Sequence, residues 1–412
     1  MDHATPARFL AAHEATATAP ISSLLSPPAL PRDNCAARLR QQLPPPRAGL
    51  RTSVIIPAKD EAATLPAALA ALAAQVTHQG QPTLTDSFEV IVLANNCQDA
   101  TAAVVRRQAQ RFPGLVVHVA ELCLAGDTAH VGRARRLLMD EACARLEQVG
   151  QPGGIIASTD ADTHVAPDWL AAIQAEIVGG ADAVGGRIFT SDEESGPMAL
   201  QRIQVQDTAY RLLCARLEDL TDPAALDRWP RHHQHFGASL ALTARAYRRV
   251  GGLPEVRFLE DEALCQELRR HDLALRHSPQ VRVLTSARRQ GRVEVGLSWQ
   301  LNEWLHMSQQ QREPHVENPV QLRRRWQLRC QLRACWTGSA GAEPDVITGR
   351  LGLPVAMVLA RMQQAVTFGA LWEWALAHSP NLTMSLVPLS RALLVLPQLI
   401  RSSGTVEQRP AA

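Results

Sequence analysis

Short apolar segments alternate with helix-like segments from residue 52 onward, and this alternation constrains the fold more than any other feature of the sequence. The predicted strands are residues 52–56, 88–93, 115–119 and 154–158. The predicted helices are residues 62–75, 100–111, 132–148 and a segment after Pro167. Because each strand is followed by a helix, the pattern predicts βαβ units and a mostly parallel sheet.

Polar clusters directly follow three of these predicted strands. The first strand runs into PAKDE at 57–61, the second into ANNCQD at 94–99, and the fourth into DAD at 160–162. In open sheets of this kind, ligands bind outside the carboxyl ends of the strands. The three clusters therefore predict one binding cleft along that edge of the sheet.

Later segments continue the sheet after an interruption. Residues 190–236 look like a more irregular insertion that is helical around 200–220. Two apolar runs, 236–242 and 281–284, then bracket a helix predicted at 261–270. The sheet is therefore expected to include strands on both sides of that helix.

Residue composition and hydrophobic pattern divide the chain into three parts. Residues 1–50 are rich in alanine, proline and serine, which predicts a loosely ordered leader. Residues 51–295 carry the strand–helix pattern, and residues 296–412 form a predicted helical appendage. The most apolar part of the appendage, 384–400, contains Arg391 and two prolines and is short for a membrane span of about 20 residues. A packed or interfacial helix is expected there.

The composition narrows the classes of partner. The net charge is +2, which gives no overall attraction to nucleic acid. Lys59 is the only lysine, so any amine chemistry would have to use it. The eight cysteines show neither a CxxC pair nor a disulfide-framework spacing, which is typical of thiols in a reducing compartment. A cytoplasmic protein is expected.

Asp160 and Asp162 are the strongest candidates for a metal site. In an extended segment, residues i and i+2 project to the same face, so both carboxylates would aim at one point. Paired carboxylates suit a hard divalent cation such as Mg²⁺ or Mn²⁺ that also binds phosphate oxygens. The alternative is that they only end a strand and turn the chain into a helix, accepting backbone N–H bonds. Their position after an apolar strand favours the metal site.

The same residues also resemble a different enzyme class. The run Asp-Ala-Asp-Thr at 160–163 resembles the Asp-x-Asp-x-Thr motif of haloacid-dehalogenase phosphohydrolases, in which the first aspartate, here Asp160, would be a nucleophile. That motif normally opens its domain, whereas three strand–helix units precede it here. The family also has a basic residue, usually lysine, between its motifs, and this chain has no lysine there. The phosphohydrolase is therefore the weaker alternative.

Acidic, basic and histidine clusters supply further candidate residues. Glu260 and Asp261 begin a predicted helix, where acidic residues favour the helix dipole and a carboxylate is also well oriented to act as a general base. Arg288 and Arg292 flank a glycine after the last predicted strand, which indicates either a loop that closes over phosphate or a solvated basic turn. The histidines at 232–235 lack the partners of a zinc site, and an acceptor-side or surface loop is expected.

Five motifs in the same order resemble family 2 glycosyltransferases. They are TSVIIPAKDEAATLPAAL, FEVIVLANNCQDATAAV, GRARRLLMDEA, ASTDADT and FGASLALTARAYRRVGGLPEVRFLEDEALCQELRRHD. The match runs from about residue 52 to residue 292. Two departures occur: Asp60 stands where asparagine is common, and Asn95-Asn96 replace the more usual paired aspartates.

The resemblance implies a GT-A fold, an α/β architecture with a mostly parallel mixed sheet, flanking helices and a helical C-terminal region. It implies a metal-dependent enzyme that takes a sugar from a nucleoside-diphosphate donor. The donor-binding residues that it implies are Pro57, Ala58, Asp60, Glu61, Asn95, Arg133, Asp160, Arg288 and Arg292. The implied metal ligand is Asp162 with Asp160, and the implied catalytic base is Asp261 with Glu260 as helper.

The sequence leaves alternatives for the mechanism, the enzyme class and the acceptor. A retaining transferase of the same fold, in which Asp261 is not a base, is the main alternative to an inverting one. A nucleotidyltransferase would favour a glycine-rich phosphate loop with lysine after the first strand, which is absent. A degenerate donor-binding scaffold is disfavoured by the intact acidic motifs. The expected acceptor is a small molecule, a glycan or a lipid, with peripheral contact of the C-terminal helices at the inner face of the membrane as a further expectation.

Overall fold

The structure is a computed structural model, and it describes residues 34–83, 86–191, 196–286, 288, 296–339 and 343–404. The strands are β1 Thr52–Ala58, β2 Phe88–Asn95, β3 Val117–Leu122, β4 Ile155–Ser158, β5 Thr163–Val165, β6 Ala183–Thr190, β7 Leu240–Thr243, β8 Leu275–Thr285, β9 His315–Glu317 and β10 Leu386–Pro388. The first eight form one sheet in the order β3-β2-β1-β4-β7-β6-β8-β5, and β9 pairs with β10 in a second.

The helices flank the sheet and then form the C-terminal region. Those up to residue 270 are α1 Cys35–Gln41, α2 Leu65–Ala73, α3 Thr101–Arg111, α4 Val131–Gln148, α5 Trp169–Val178, α6 Met198–Thr221, α7 Ala244–Arg249 and α8 Glu260–Arg270. Those after it are α9 Leu297–Gln309, α10 Pro319–Trp336, α11 Pro344–Leu351, α12 Val355–Gln364, α13 Phe368–His378 and α14 Leu389–Gly404.

The sheet is mixed, with its parallel part at the N-terminal half of the chain. Strands β3, β2, β1 and β4 are all parallel, β7 is antiparallel to both β4 and β6, and β6 runs parallel to β8. The carboxyl ends of β1, β2 and β4 therefore meet at one edge. The predicted fold class, a mostly parallel mixed sheet with flanking helices and a helical C-terminal region, is confirmed.

The central strands are apolar on both faces because helices cover both faces. Ile55 packs in the cluster that contains α4, whereas its neighbours Val54 and Ile56 pack in the cluster on the opposite face with α2 and α5. All three are fully buried. The alternation follows from the two-residue period of a strand, and it fixes the register of β1 between the two helical layers.

Three features of the fold differ from the sequence-based expectation. Strand β6, with two adjacent glycines, was not predicted, because glycine is depleted in strands and weakens the pattern. Strand β8 begins at Leu275, six residues before the predicted run, and the β6–β8 register shifts at Gly186/Arg187. The segment 34–50 packs against the core, with Leu39 and Leu50 buried, instead of lying loose.

The C-terminal region is largely helical, as expected, and packs on α6 of the preceding domain. Buried residues of α6, α10 and α14 share one apolar cluster, which includes Leu217 and Leu396. The segment predicted as a packed or interfacial helix is β10 followed by α14, which contains Pro397. Among the described residues, none of the helices combines the length and apolar character needed to cross a membrane.

Candidate active site

The turn after β1 is tied to the turn after β2 by Asp60. This residue has a left-handed backbone, with φ of 55°. Its Oδ1 atom accepts hydrogen bonds from the backbone N–H of Gln98 at 2.6 Å and of Asp99 at 3.3 Å. A non-glycine residue in this conformation is strained, and such strain concentrates at functional sites. The predicted residues Pro57 and Ala58 are buried just before it.

Asp60, Cys97 and Asp99 lie close enough to share a cation, and they are the one such group among the described residues. Asp99 is already used by the turn, because its carboxylate accepts from the N–H groups of Ala62 and Thr101. Burial raises the pKa of the Cys97 thiol above its usual value, and the thiolate is the form that binds metal. These contacts favour a structural role in the turn over a metal site.

The two asparagines after β2 have different roles. Asn96, with φ of 53°, exchanges hydrogen bonds with the backbone of Leu124: its Nδ2 donates to the carbonyl at 2.9 Å and its Oδ1 accepts from the N–H at 3.1 Å. Asn95, the last residue of β2, is buried beside it at the same edge of the sheet. Asn96 therefore holds the neighbouring loop, whereas Asn95 lies at the carboxyl end of β2.

Asp160 is held by an arginine that the sequence-based prediction missed. The Nη2 atom of Arg135 donates to Asp160 Oδ1 at 2.7 Å, and its Nη1 atom donates to Glu260. Arg135 is only 5% exposed. Burial opposes its charge, but attraction to Glu260 and Asp160 outweighs burial and raises its pKa. One buried cation thus joins the end of β4 to the start of α8.

The side chain of Arg133 contacts Glu255 and not the aspartate motif. Its Nη1 atom donates to Glu255 at 2.5 Å, in the loop that leads to α8. The residue of α4 that reaches the aspartate motif is Arg135, two positions further on. The packing of α4 explains why Arg135 is the residue that reaches the motif. A Cβ on Gly132 would meet Val256 O and Glu260 Cβ, so the face of α4 that carries Gly132 lies against α8. Position 135, three residues later, lies on the same face.

Asp162 is paired with Arg288. The Nη2 atom of Arg288 lies 3.1 Å from Asp162 Oδ2 and 2.7 Å from Glu61 Oε1, so the guanidinium bridges the turn after β1 and the aspartate motif. Glu61 is also fixed by Thr64, whose Oγ1 donates to it at 2.7 Å. Arg292, the other predicted arginine of this segment, lies outside the described residues.

Asp261 is oriented by two backbone donors. Its Oδ2 atom accepts from the N–H of Gly237 at 2.8 Å, and its Oδ1 atom accepts from the N–H of Glu262 at 2.8 Å. The preceding Leu259 has φ of 57°, a second strained position at this site. Each carboxylate oxygen keeps a further lone pair, so Asp261 can still accept a proton from a ligand.

The histidine segment is buried rather than at the surface. His232 and His235 are 3% and 7% exposed, and both bond within the protein. His232 Nε2 lies 3.0 Å from the carbonyl of Ser278, and His235 contacts Glu262 and His277. The surface-loop alternative is therefore wrong, because the insertion folds back over β8 and α8, and the acceptor-side alternative stays a prediction.

The arrangement brings two carboxylate pairs, each bridged by an arginine, to the same edge of the sheet. Asp160 and Asp162 supply carboxylate oxygens from one short segment, which are the donors that Mg²⁺ and Mn²⁺ prefer. The donor set therefore fits a hard divalent cation. A carboxylate at the start of α8 stands beside them through Arg135.

A comparison with protein-family models gives a match for part of the chain. The family model described as Glycosyl transferase family 2 matches residues 53–241. Comparison with curated proteins gives no match.

Three solved structures are similar to the chain. The mannosyltransferase PcManGT from Pyrobaculum calidifontis, in complex with GDP-Man and Mn²⁺, has 18% identity and a TM-score of 0.42 over 90% of this chain and 96% of that one. TarS 1–349 of S. aureus, in complex with UDP-GlcNAc, has 13% identity and a TM-score of 0.41 over 80% and 91%. Glucosyl-3-phosphoglycerate synthase from Mycobacterium tuberculosis, in complex with UDP, has 17% identity and a TM-score of 0.34 over 64% and 81%.

The family match runs from β1 into β7 and includes Arg135 and the aspartate motif, whereas α7 and α8 lie beyond its end. Because the match covers Asp160 and the three strand–helix units before it, the phosphohydrolase alternative is set aside. Residues 53–241, a little under half of the chain, therefore match the Glycosyl transferase family 2 model, which supports a glycosyltransferase with the mixed α/β sheet of the GT-A fold.

Proposed function

We propose that this glycosyltransferase moves a sugar from a nucleoside-diphosphate donor to an acceptor hydroxyl, with inversion at the anomeric carbon and with Asp261 as general base. The observation that carries the proposal is the position of Arg135, which contacts both Asp160 and Glu260. It joins the end of β4, where the donor would lie, to the start of α8, where the base would lie.

The donor would bind along the carboxyl ends of β1, β2 and β4. The nucleoside would contact Pro57, Ala58, Asp60 and Glu61 after β1, with Asn95 near the base. The diphosphate carries about two negative charges, and Arg133, Arg288 and Arg292 are its proposed cationic partners. Asp160 would contact the ribose or the metal.

The metal would be Mg²⁺ or Mn²⁺, held by Asp162 with Asp160. When bound, such a cation supplies Lewis-acid stabilisation of the negative charge on the departing diphosphate. Arg288 contacts both Asp162 and Glu61, so its side chain is also within reach of the same region. The arginine would move its contact from the carboxylates to the diphosphate when the donor binds.

The transfer step follows from the position of Asp261. Its carboxylate would take the proton of the acceptor hydroxyl while the acceptor oxygen forms a bond to the anomeric carbon. The bond between that carbon and the diphosphate oxygen breaks, and its electron pair leaves with the nucleoside diphosphate. Hydrogen bonds from Gly237 and Glu262 would hold the carboxylate in line for this transfer. Glu260 would assist by holding Arg135.

A retaining mechanism is the alternative, and the product distinguishes the two. An inverting enzyme converts an α-linked donor into a β-linked product, whereas a retaining enzyme preserves the α configuration. Proton NMR of the first product formed gives the anomeric configuration through its coupling constant. Retention would overturn the role of Asp261 as base but would leave the glycosyltransferase assignment intact.

The experiment that tests donor and metal binding is a thermal-shift panel of nucleoside diphosphates and their sugars, with and without Mn²⁺. We expect a metal-dependent rise in melting temperature with one base, lost in Asp162→Ala. Asp168→Ala is the matched control. Asp168 lies in the same segment, but it is at the start of α5, and its carboxylate lies 3.8 Å from the guanidinium of Arg282. No shift with any nucleotide would contradict the proposal.

The catalytic role of Asp261 has its own test. Asp261→Asn should abolish transfer, by roughly two to four orders of magnitude for the loss of a general base, with nearly unchanged donor binding. Asp272→Asn is not a suitable control, because Asp272 accepts from the N–H groups of Phe368 and Gly369. Asp182 also accepts a hydrogen bond from a backbone N–H group, that of Ala274. The control is therefore Asp168→Asn, because the Asp168 side chain makes no capping hydrogen bond to the backbone.

The acceptor and the cellular setting are proposed more broadly. The acceptor is a small molecule, a glycan or a lipid, and nucleic acid is not among the proposed partners. The eight cysteines are all free thiols, which supports a cytoplasmic location. We propose 51–295 as the catalytic domain and 296–412 as the helical appendage that borders the acceptor side.

A peripheral membrane contact through the appendage is part of this proposal. Helix α12 exposes Val355, Met357 and Leu359, and Val366 just beyond it is 92% exposed. Exposed apolar residues on a helix can insert into the headgroup region of a bilayer. Sedimentation with vesicles of anionic phospholipid should retain the protein, and Met357→Glu should release it. Equal sedimentation of both variants would contradict this contact.

A further inference from the structure

A chain of buried polar side chains runs from the start of α8 to β8. The Nε2 atom of His235 lies 2.5 Å from Glu262 Oε2, and the Nδ1 atom of His235 lies 3.1 Å from His277 Nε2. The Nδ1 atom of His277 lies 2.8 Å from Asp227 Oδ2. Both histidines are less than 9% exposed. The four groups, here named the His235–His277 chain, run carboxylate, imidazole, imidazole, carboxylate.

The three contacts of this chain require three protons. A carboxylate can only accept, and a neutral imidazole carries a single N–H. If the two N–H groups of neutral His235 and His277 point at the carboxylates, the two ring nitrogens 3.1 Å apart face each other as lone pairs. If one N–H fills the central contact instead, a carboxylate faces a ring lone pair. All three contacts are satisfied only when the chain holds one further proton.

The imidazoles are the more favourable place for that proton. Burial works to raise the pKa of Glu262, but the hydrogen bond from His235 and the charges of His235 and Arg269 outweigh it and lower the pKa. In the same way, burial works to raise the pKa of Asp227, while His277 and Arg231 lower it to about 2. Both carboxylates are therefore ionised near neutral pH, and a third proton, when the chain holds it, lies on the histidine pair.

Burial limits how strongly the pair holds this proton. It lowers the pKa of His277, whereas the hydrogen bond and charge of Asp227 raise it, and burial prevails. The proton is therefore released as pH rises, and its release leaves one of the three contacts of the chain without a proton. The charged and titratable groups that face the pair are Glu262 and Arg269 of α8, Asp227, Arg231, His232 and His233 of the segment before β7, Arg276 of β8 and Arg187 of β6.

The contact between His235 and Glu262 connects the two segments that orient Asp261. Gly237, two residues after His235, donates its N–H to Asp261 Oδ2. Glu262 donates its own N–H to Asp261 Oδ1. The contact between the side chains of His235 and Glu262 therefore joins the two segments that carry these backbone donors. A change in that contact would move both oxygens of Asp261.

We propose that His235 and His277 share one proton beyond those of two neutral imidazoles, and that the protonated pair positions Asp261 through Glu262 and the backbone of Gly237. His235 is then a positioning residue, since it does not contact the reacting atoms. The inference rests on the proposed role of Asp261 as base in one respect only, its effect on turnover. The shared proton itself is independent of the function.

The first test observes the proton directly in the wild-type protein. Ring nitrogens are followed by NMR in full-length protein labelled with ¹⁵N-histidine, from about pH 5 to pH 9. We expect one pair of coupled rings with an imidazolium-like signal at low pH that disappears as pH rises. His235→Gln and His277→Gln assign these signals. His271→Gln is the control, because the ring of His271 contacts Glu267, which is not part of the His235–His277 chain. Two neutral rings of fixed tautomer at every pH would overturn the proposal.

The second test asks whether the proton acts on turnover. In wild-type enzyme, kcat should fall on the alkaline side with the same apparent pKa that NMR gives for the pair. His235→Gln should lower kcat about tenfold or more, change the donor KM less than about twofold, and lose that alkaline limb. His271→Gln should keep the wild-type profile.

The outcomes separate the two proposals. A wild-type kcat and pH profile in His235→Gln would overturn the positioning role, whereas absence of any sugar transfer by the wild type would overturn the proposed function and leave the NMR result standing. If His235→Gln does not fold, the wild-type comparison decides: an alkaline limb with an apparent pKa different from that of the pair overturns the positioning role.

Discussion

The backbone N–H of Gly237 donates to the Oδ2 atom of Asp261 at 2.8 Å. The same glycine lies against the guanidinium of Arg135, and a Cβ at this position would collide with it. Arg135 in turn binds Asp160. A single backbone position therefore connects the proposed base to the aspartate motif, and the absence of a side chain there is a requirement of the site.

Gly237→Ala should damage catalysis more than folding. The added methyl group displaces the Arg135 guanidinium, which then loses its contact with Asp160 or Glu260. We expect kcat/KM for the donor to fall at least about tenfold, equivalent to roughly 1.4 kcal/mol of transition-state stabilisation. Gly153→Ala is the matched control, because a Cβ there meets only Arg245 Nη2 at 3.6 Å, an ordinary contact. Equal activity of the two variants would refute the close approach.

Arg133 and Arg135 should differ in what they do. Arg135→Lys keeps the charge, but a single ammonium cannot replace the fork that contacts Asp160 and Glu260 together. We expect it to lower kcat strongly. Arg133→Lys should act mainly on the KM of the donor if Arg133 binds diphosphate. Steady-state kinetics over a range of donor concentrations separates the two effects. A larger kcat loss in Arg133→Lys than in Arg135→Lys would contradict this assignment of roles.

The sequence predicted the parallel half of the sheet and the acidic ends of its strands well. The consecutive apolar residues Val54, Ile55 and Ile56 are typical of a strand that helices cover on both faces. Strand β6 escaped prediction because its Gly185-Gly186 pair lacks side chains. Its place in the sheet depends on close approach to the segment 234–239, which is a tertiary contact.

The site was predicted less completely than the fold, for a similar reason. Asp160, Asp162 and Asp261 were identified as candidates because each lies in a short acidic motif that is recognisable in the sequence. Arg135 lies in a run with three arginines, and the choice among them depends on which face of α4 meets α8. The partners of His235 come from β8 and α8, 42 and 27 residues away along the chain, so that no local pattern connects them.

Arg288→Gln should tighten metal binding and weaken donor binding. The guanidinium now lies 3.1 Å from Asp162, where it competes with a cation for the carboxylate. Removing it leaves Asp162 and Glu61 with more unneutralised charge, so Mn²⁺ alone should raise the melting temperature more than in wild type. The nucleotide sugar should bind more weakly, because one phosphate partner is lost. Arg282→Gln, at a half-exposed position of β8, is the control. Weaker Mn²⁺ binding in Arg288→Gln would argue against competition.

Acid should destabilise the protein through Glu89. This buried carboxylate bonds to Arg145 at 2.6 Å and lies 3.4 Å from His118. Burial alone would raise its pKa, but Arg145 and His118 lower it to about 2. A depressed carboxyl pKa stabilises the folded state above the unfolded value of about 4.5, and this stability is lost as pH falls from there toward 2.

The shift corresponds to roughly 3 kcal/mol. Urea unfolding of wild type should therefore lose stability between about pH 5 and pH 2 more steeply than Glu89→Gln does. Glu121→Gln, at an exposed ion pair with Arg106, should follow the wild-type slope. Parallel slopes for wild type and Glu89→Gln would remove this carboxylate from the acid response.

Asp222→Asn should show whether the C-terminal region unfolds with the catalytic domain. The Asp222 carboxylate, fully buried at the end of α6, binds Arg329 and Arg333 of α10. Losing one charge of this buried cluster leaves Arg333 without its carboxylate partner and Arg329 with Glu218 alone, at a cost of roughly 3–5 kcal/mol. Asp86→Asn, at an exposed ion pair with Arg47, should change the free energy of unfolding by less than about 1 kcal/mol. If 296–412 is an integral part of one cooperative unit, Asp222→Asn shifts a single urea transition to lower concentration. If the region is a separable appendage, the same substitution splits the transition in two, because α10 then detaches before the sheet unfolds.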